Sequence, residues 1–266
     1  VPRSDRYSVD SLRRLAAIDL NAAYQRVNEG EQNGELSKFE SADLCAHLTY
    51  QYTDNYALAI EYCRKALSAL GDDDDEPRVE TLYLLSTIAE AGKDFQTCIN
   101  ACTEGKEVAH WNKMKFEEHS FDYLVGKCKL DMGLKDEGLA LMSSSIDKAI
   151  QVVDGEGEYG HLIYFVNNLI NCYIAVDNME DVLRESDHLE RLIDEMEAKY
   201  PQAKPYCDQC RFDLHSNRAI AKITLGRPQE AETDFDQALA FDFAKSYRGS
   251  DPLLPLYSAA GRGGAV

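Results

Sequence analysis

At 266 residues the chain is longer than most single globular domains, yet an array of short repeats can reach that length as one continuous structure because each unit touches only its neighbours. Hydrophobic residues make up 44% and charged residues 28%, a composition that excludes intrinsic disorder. With 28 basic against 47 acidic side chains the formal charge is -19, which repels phosphate backbones and excludes nucleic acid as an expected partner.

In chain order, Leu12, Leu15, Ala16, Ala23 and Val27 fall on one helical stripe and predict a leading helix from about Ser8 that covers the first repeat. The polar stretch Asn28 to Glu35, with two glycines, is expected as loop. Five segments then repeat the same grammar, a short turn running into a helix: Asp54 to Ala59, Lys93 to Cys98, Gly133 to Gly138, Asp177 to Val182 and Gly226 to Ala231. Each delivers a small or compact residue to one equivalent place, namely Ala59, Cys98, Gly138, Val182 and Ala231, at intervals of 39, 40, 44 and 49 residues. Two helices of four to five turns and their loops fill such intervals, and a small side chain is needed where the two helices of a hairpin cross closely. The acidic run Asp72 to Glu76 is expected as a solvated inter-helix loop, since it lacks the ligand spacing of a calcium-binding loop. Gly-containing breaks at 154–158 and Pro-containing ones at 200–205 separate the later helices. From about Lys245 the helical period stops.

The repeated segments resemble the tetratricopeptide family, in which a unit carries Leu-Gly and Tyr on its first helix and Ala and an aromatic residue on its second. Tyr50 with Ala59 and Ala66 matches in the first unit, Val125-Gly126 with Gly138 in the third, Leu169 and Tyr173 in the fourth, and Ala231, Phe235 and Ala238 in the fifth; the second, with Leu85, Gly92, Phe95 and Cys98, is the most degenerate. The family's Trp and terminal Pro are missing and the intervals exceed its usual period of about 34 residues, a departure more similar to the divergent repeats of bacterial signalling proteins. The resemblance implies an all-α, right-handed α-solenoid of about five stacked antiparallel helix pairs, roughly eleven helices in all. Its domain plan is a leading helix and loop over residues 1–39, the repeat array over 40–244 and a tail or linker over 245–266. It also implies a concave surface that binds a protein or peptide without transforming it. Aligning each unit on its small crossing residue puts the family's groove positions at Leu44 and Leu48, Tyr83 and Thr87, Tyr123 and Lys127, then Tyr164, Asn167 and Asn171. There the tyrosines would offer aromatic contact or pack between units, and the two asparagines, one turn apart, would hold a peptide backbone. The paired lysines of chaperone-binding repeats are not reproduced, and the acidic chain is suited to neutral or basic ligands.

Other chemistry is thinly represented. Cys207 and Cys210 have redox or zinc-ligand spacing with His215 after them, an alternative metal or redox reading that lacks a fourth ligand and a neighbouring strand. The remaining cysteines fall on amphipathic helical segments, where reduced thiols act as small buried hydrophobes, so a cytoplasmic setting is favoured. The six histidines are scattered, no glycine-rich phosphate loop is present, and neither enzymatic activity nor a metal or cofactor is expected. No stretch approaches the ~18 apolar residues of a membrane span. The chain begins at Val1 rather than Met, as expected of a processed protein or a piece of a longer one, and the ligand-sensing part of a bacterial sensor kinase, periplasmic in that case, is the alternative consistent with it.

Overall fold

The computed structural model describes residues 5–241. Among them the α-helices are α1 (Val9–Ala16), α2 (Leu20–Gln32), α3 (Lys38–Tyr52), α4 (Tyr56–Ser68), α5 (Asp75–Ala91), α6 (Phe95–Trp111), α7 (Lys115–Asp131), α8 (Lys135–Ile150), α9 (Glu156–Ala175), α10 (Met179–Lys199), α11 (Lys204–Thr224) and α12 (Pro228–Leu239). Short 3-10 turns at Asp5–Tyr7 and Pro201–Ala203 complete the described regular structure. The all-α expectation of five helix pairs holds; the count is twelve rather than eleven because the leading helix breaks at Ala17-Ile18-Asp19. Ser8 caps the first piece by accepting from the Ser11 amide (3.2 Å), and Asp19 caps the second by accepting from the Ala22 amide (3.1 Å). The predicted loop from Asn28 is corrected as well. Helix α2 continues to Gln32, because Gly30 sits under the Tyr7 ring and Leu36, where a Cβ would come within 2.8 Å of that ring. The tail beyond residue 241 lies outside the described residues.

The chain divides into two compact units, residues 1–149 and 150–266. In the first, α1 and α2 lay Leu12, Ala16, Ala23 and Val27 against Leu44, Cys45 and Leu48 of α3, and the pairs α3/α4, α5/α6 and α7/α8 come after them. The acidic run is split: Asp72 to Asp74 are exposed loop, whereas Asp75 and Glu76 form the first turn of α5, where carboxylates offset the positive end of the helix dipole. In the second, α9 pairs with α10 and α11 with α12, while α11 also packs on α10 and α9.

The small crossing residues do what their spacing demanded. Ala59, Cys98, Val182 and Ala231 are fully or almost fully buried, and Gly138 lies against Gly126 so closely that a Cβ there would stand 2.7 Å from the Leu130 amide nitrogen. The turns inside four of the five pairs share one backbone device. At Lys93, Gly133, Asp177 and Gly226 φ is positive, between 59° and 87°, and the next amide reaches back to the last helical turn, as in Asp94 to the Ala89 carbonyl (2.8 Å) and Leu134 to the Lys129 carbonyl (3.0 Å). These bonds satisfy carbonyls that the helix end would otherwise leave unpaired. The α3/α4 turn is built differently, with the Thr53 hydroxyl donating to the Thr49 carbonyl (2.7 Å) and accepting from the Asn55 amide (3.1 Å).

All eight cysteines lie on helices as free thiols, seven of them buried, and burial pushes the Cys45, Cys63 and Cys128 thiols up to about 12. Among the described residues no group of three or more His, Cys, Asp or Glu side chains is arranged to hold a metal ion, and no helix is long and apolar enough to cross a membrane. His215, the possible third partner of Cys207 and Cys210, has Nδ1 3.8 Å from Asp234 Oδ1.

Candidate peptide-binding faces

In the first unit the predicted groove residues belong to α3, α5 and α7. Leu44 and Leu48 are core residues under the leading helices, and Tyr123 is only 1% exposed, so the alignment placed these three on the wrong side of their helices. At α3 the physical reason is cover, since α1 and α2 pack on the face that carries Leu44 and Leu48; the offset that buries Tyr123 on α7 leaves Asn167 only half-buried on α9, so the crossing residue alone does not set which side of a first helix faces solvent. Tyr83 is half-buried and meets the Phe121 ring edge-on at 6.0 Å. Thr87 turns its hydroxyl back to the Tyr83 carbonyl (2.9 Å). Lys127 donates to the buried Glu90 (2.7 Å). Burial, together with a hydrogen bond from Asp131, raises the Glu90 carboxyl above the usual range, while Lys127 acts in the opposite direction. The face that α5 and α7 present is thus largely occupied by its own contacts.

In the second unit the predicted residues come together. Tyr164, Asn167 and Asn171 track the solvent face of α9 at helical spacing, and Tyr164 is 55% exposed. From the neighbouring α11, Asn217 Nδ2 stands 3.5 Å from both Asn167 Oδ1 and Asn171 Oδ1. Those separations are at the outer limit of a hydrogen bond, so the trio is held in one place without its capacity being used up. Each amide offers two donor hydrogens and two acceptor lone pairs, the inventory needed to pair with both the N–H and the C=O of an extended backbone.

Back along α11 from Asn217, Asp213 and Tyr206 lie on the same helical face, four and eleven residues earlier. Tyr206 is 41% exposed and anchors its hydroxyl on the Gly160 carbonyl of α9 (3.2 Å). Burial raises the Asp213 carboxyl, against a lowering hydrogen bond from Gln209. None of Asn217, Asp213 and Tyr206 was singled out from the sequence, because the groove register was carried through only four units. Extended to the fifth from Ala231, it falls on Ser216, one residue from Asn217.

A separate groove of about 800 Å³ opens between α6 and α7, lined among others by Cys102, Lys106, His110, Glu118, Asp122 and the 81% exposed Trp111. Two pairs of its side chains meet one another, Lys106 with Asp122 at 2.7 Å and His110 with Glu118 at 3.4 Å.

No protein-family model and no curated protein matches the sequence. Solved structures do. BtubC (BKLC) from P. vanneervenii is similar with a TM-score of 0.59 and 16% identity over 90% of this chain and 88% of that one. The Rap conjugation gene regulator of the plasmid pLS20, in complex with the Phr* peptide, is similar with a TM-score of 0.52 and 16% identity over 85% of this chain, which spans 57% of the regulator's length. A Podosopora anserina putative kinesin light chain of nearly identical TPR-like repeats gives a TM-score of 0.50 and 14% identity over 86% of this chain and 97% of that one. At such identities what is shared is the fold, and by its fold this chain is a divergent TPR-like helical-repeat protein, an α-solenoid of antiparallel helix pairs.

Proposed function

We propose that the chain is a non-catalytic scaffold that binds an extended peptide segment on the face formed by α9 and α11. The observation that carries this reading is the trio Asn167, Asn171 and Asn217, three side-chain amides on two adjacent first helices, beside the exposed rings of Tyr164 and Tyr206. An extended backbone presents alternating donors and acceptors, which side-chain amides match, while flat aromatic rings supply contact area at little cost in side-chain entropy. The shared fold with a Rap regulator whose structure holds a peptide supports the same reading and favours a second, finer one, the ligand-sensing part of a bacterial signalling protein.

The test is direct binding of synthetic heptapeptide pools to the full chain and to the double variant Asn167→Ala/Asn171→Ala. The wild-type chain is expected to retain a subset of peptides, and the variant to bind that subset at least about tenfold more weakly, as loss of two backbone-directed hydrogen bonds at about 1 kcal/mol each implies. Equal binding by both chains overturns the site; no retention of any pool by the wild-type chain overturns the function.

A further inference from the structure

The α9–α11 face carries a carboxylate that meets no cation among the described residues. Helix α11 has four Lys and Arg side chains, and each is committed elsewhere. Lys204 pairs with Glu197 and Asp208, Arg211 with Asp194 and Glu197, Arg218 with Glu190 and Asp234, and Lys222 with Asp234. Their partners lie on α10, on α12 or, for Asp208, on the first turns of α11 itself. Helix α9 contains no Lys or Arg. Asp213, half-buried on the helical face it shares with Tyr206 and Asn217 and held by Gln209, makes no ion pair among the described residues, although elsewhere in the second unit buried carboxylates such as Asp234 and Glu185 sit against a guanidinium. It lies four residues before Asn217 and seven after Tyr206, so one ligand crossing the amide trio passes within its reach.

We propose that Asp213 is the specificity-determining residue of this face and selects peptides bearing a cationic group next to the stretch of main chain held by Asn167, Asn171 and Asn217. The inference rests on the peptide-binding reading above. A half-desolvated carboxylate gains more from a cation delivered by a ligand than a fully solvated one, since water competes less for both charges. The two tyrosines favour the same ligand, because an aliphatic stem and a cationic head both pack well on an aromatic face. An anionic segment is disfavoured by the same carboxylate and by the acidity of the whole chain. The cation has two sources, a Lys or Arg side chain or a free amino terminus, and the experiment separates them.

Heptapeptide pools are synthesised with one position fixed as Arg, Lys, citrulline or norleucine, each in an acetylated and a free-amine series, and bound to the full wild-type chain and to Asp213→Asn. Thermal melts of both proteins verify that the near-isosteric variant is folded. The wild-type chain is expected to prefer either the Arg and Lys pools over the citrulline and norleucine pools or the free-amine series over the acetylated one, by about tenfold. In Asp213→Asn that preference is expected to fall to about onefold. A preference that survives in Asp213→Asn overturns the proposal, as does peptide binding by the wild-type chain with no preference for cations; both outcomes leave the peptide-binding reading in place. Failure of every pool to bind the wild-type chain overturns that reading and this proposal with it.

Discussion

The faces offered by the first helices in the two units differ in how far they are satisfied from within. On α5 and α7, Glu90 is neutralised by Lys127, Thr87 bonds its own helix and Tyr123 is in the core. On α9 and α11, two tyrosines remain exposed, three amides touch only at 3.5 Å and Asp213 meets no cation among the described residues. The same helix-pair grammar therefore supports opposite uses: side chains whose partners lie within the unit stiffen it, and side chains left short of partners are available to a ligand. Where the second unit does close its charges, it does so on the other side of α11, around Asp234.

That network gives the largest expected effect. Asp234 is 1% exposed and accepts from Arg218 Nε (2.8 Å) and Lys222 Nζ (2.6 Å). Burial works against its charge, but the His215 imidazole 3.8 Å away and hydrogen bonds from Lys222 and Arg218 outweigh that cost and hold its carboxyl down to about 2. Asp234→Asn keeps the shape but takes the anion from Lys222 and leaves Arg218 to Glu190 and Asp187, so a loss of about 3 kcal/mol is expected in a denaturant melt of the full chain. The pH response has a definite sign. The folded value lies below the ordinary 3.8, so the contribution of this group is present above pH 3.8 and is lost as pH falls toward 2, by roughly 2 kcal/mol. A wild-type melt that loses no stability over that interval removes the network as a stabilising element. An Asp234→Asn protein as stable as wild type at neutral pH does the same.

The first unit answers with the opposite sign. Lys127→Met removes the cation beside the buried Glu90 and leaves that carboxyl near Asp131, with an expected cost of about 2 kcal/mol at neutral pH. Because burial and Asp131 raise the Glu90 carboxyl above its ordinary 4.5, the protonated form is the one the fold tolerates. Its contribution is present below pH 4.5 and is lost as pH rises through the raised folded value, so the penalty in the variant shrinks as the solution is taken down to pH 4.5. A penalty independent of pH between about 7 and 4.5 would show that Lys127 acts through its aliphatic stem rather than its charge.

How far the molecule was legible in its sequence depends on which residues carry the signal. Helix pairing was legible because Ala59, Cys98, Gly138, Val182 and Ala231 must be small for helices to cross, and burial admits few substitutes. Turn chemistry was half legible: Gly133 and Gly226 announce a left-handed backbone, whereas Lys93 and Asp177 adopt the same conformation without glycine, and only the structure reveals them as equivalents. The break at Ala17 was hidden because Leu12 to Val27 keep one apolar stripe across it. The candidate site was legible in Asn167, Asn171 and Tyr164, which stand on a helix face that the period alone defines. Tyr123 was misplaced because an offset counted from the crossing residue does not by itself say which side of α7 faces solvent. Asp213 was invisible for another reason: in an acidic chain a single aspartate stands out only when the cations around it are seen to be turned away.

The smallest expected change in stability belongs to the residues most important to the proposed function. Asn167 and Asn171 are half-buried and exposed, respectively, and their only described hydrogen-bond partner is Asn217 at 3.5 Å, so Asn167→Ala/Asn171→Ala is expected to alter unfolding free energy by less than about 0.5 kcal/mol. Alanine is also the better helix former, which offsets part of what the amides contribute. A melt within about 2 °C of wild type, with peptide retention lost, would separate binding from folding at this face and hold the contrast with Lys127, where stability is the readout. A drop of several degrees would mean that the amide trio is a brace between α9 and α11 like the ion pairs behind it, and the two faces would then differ in polarity alone.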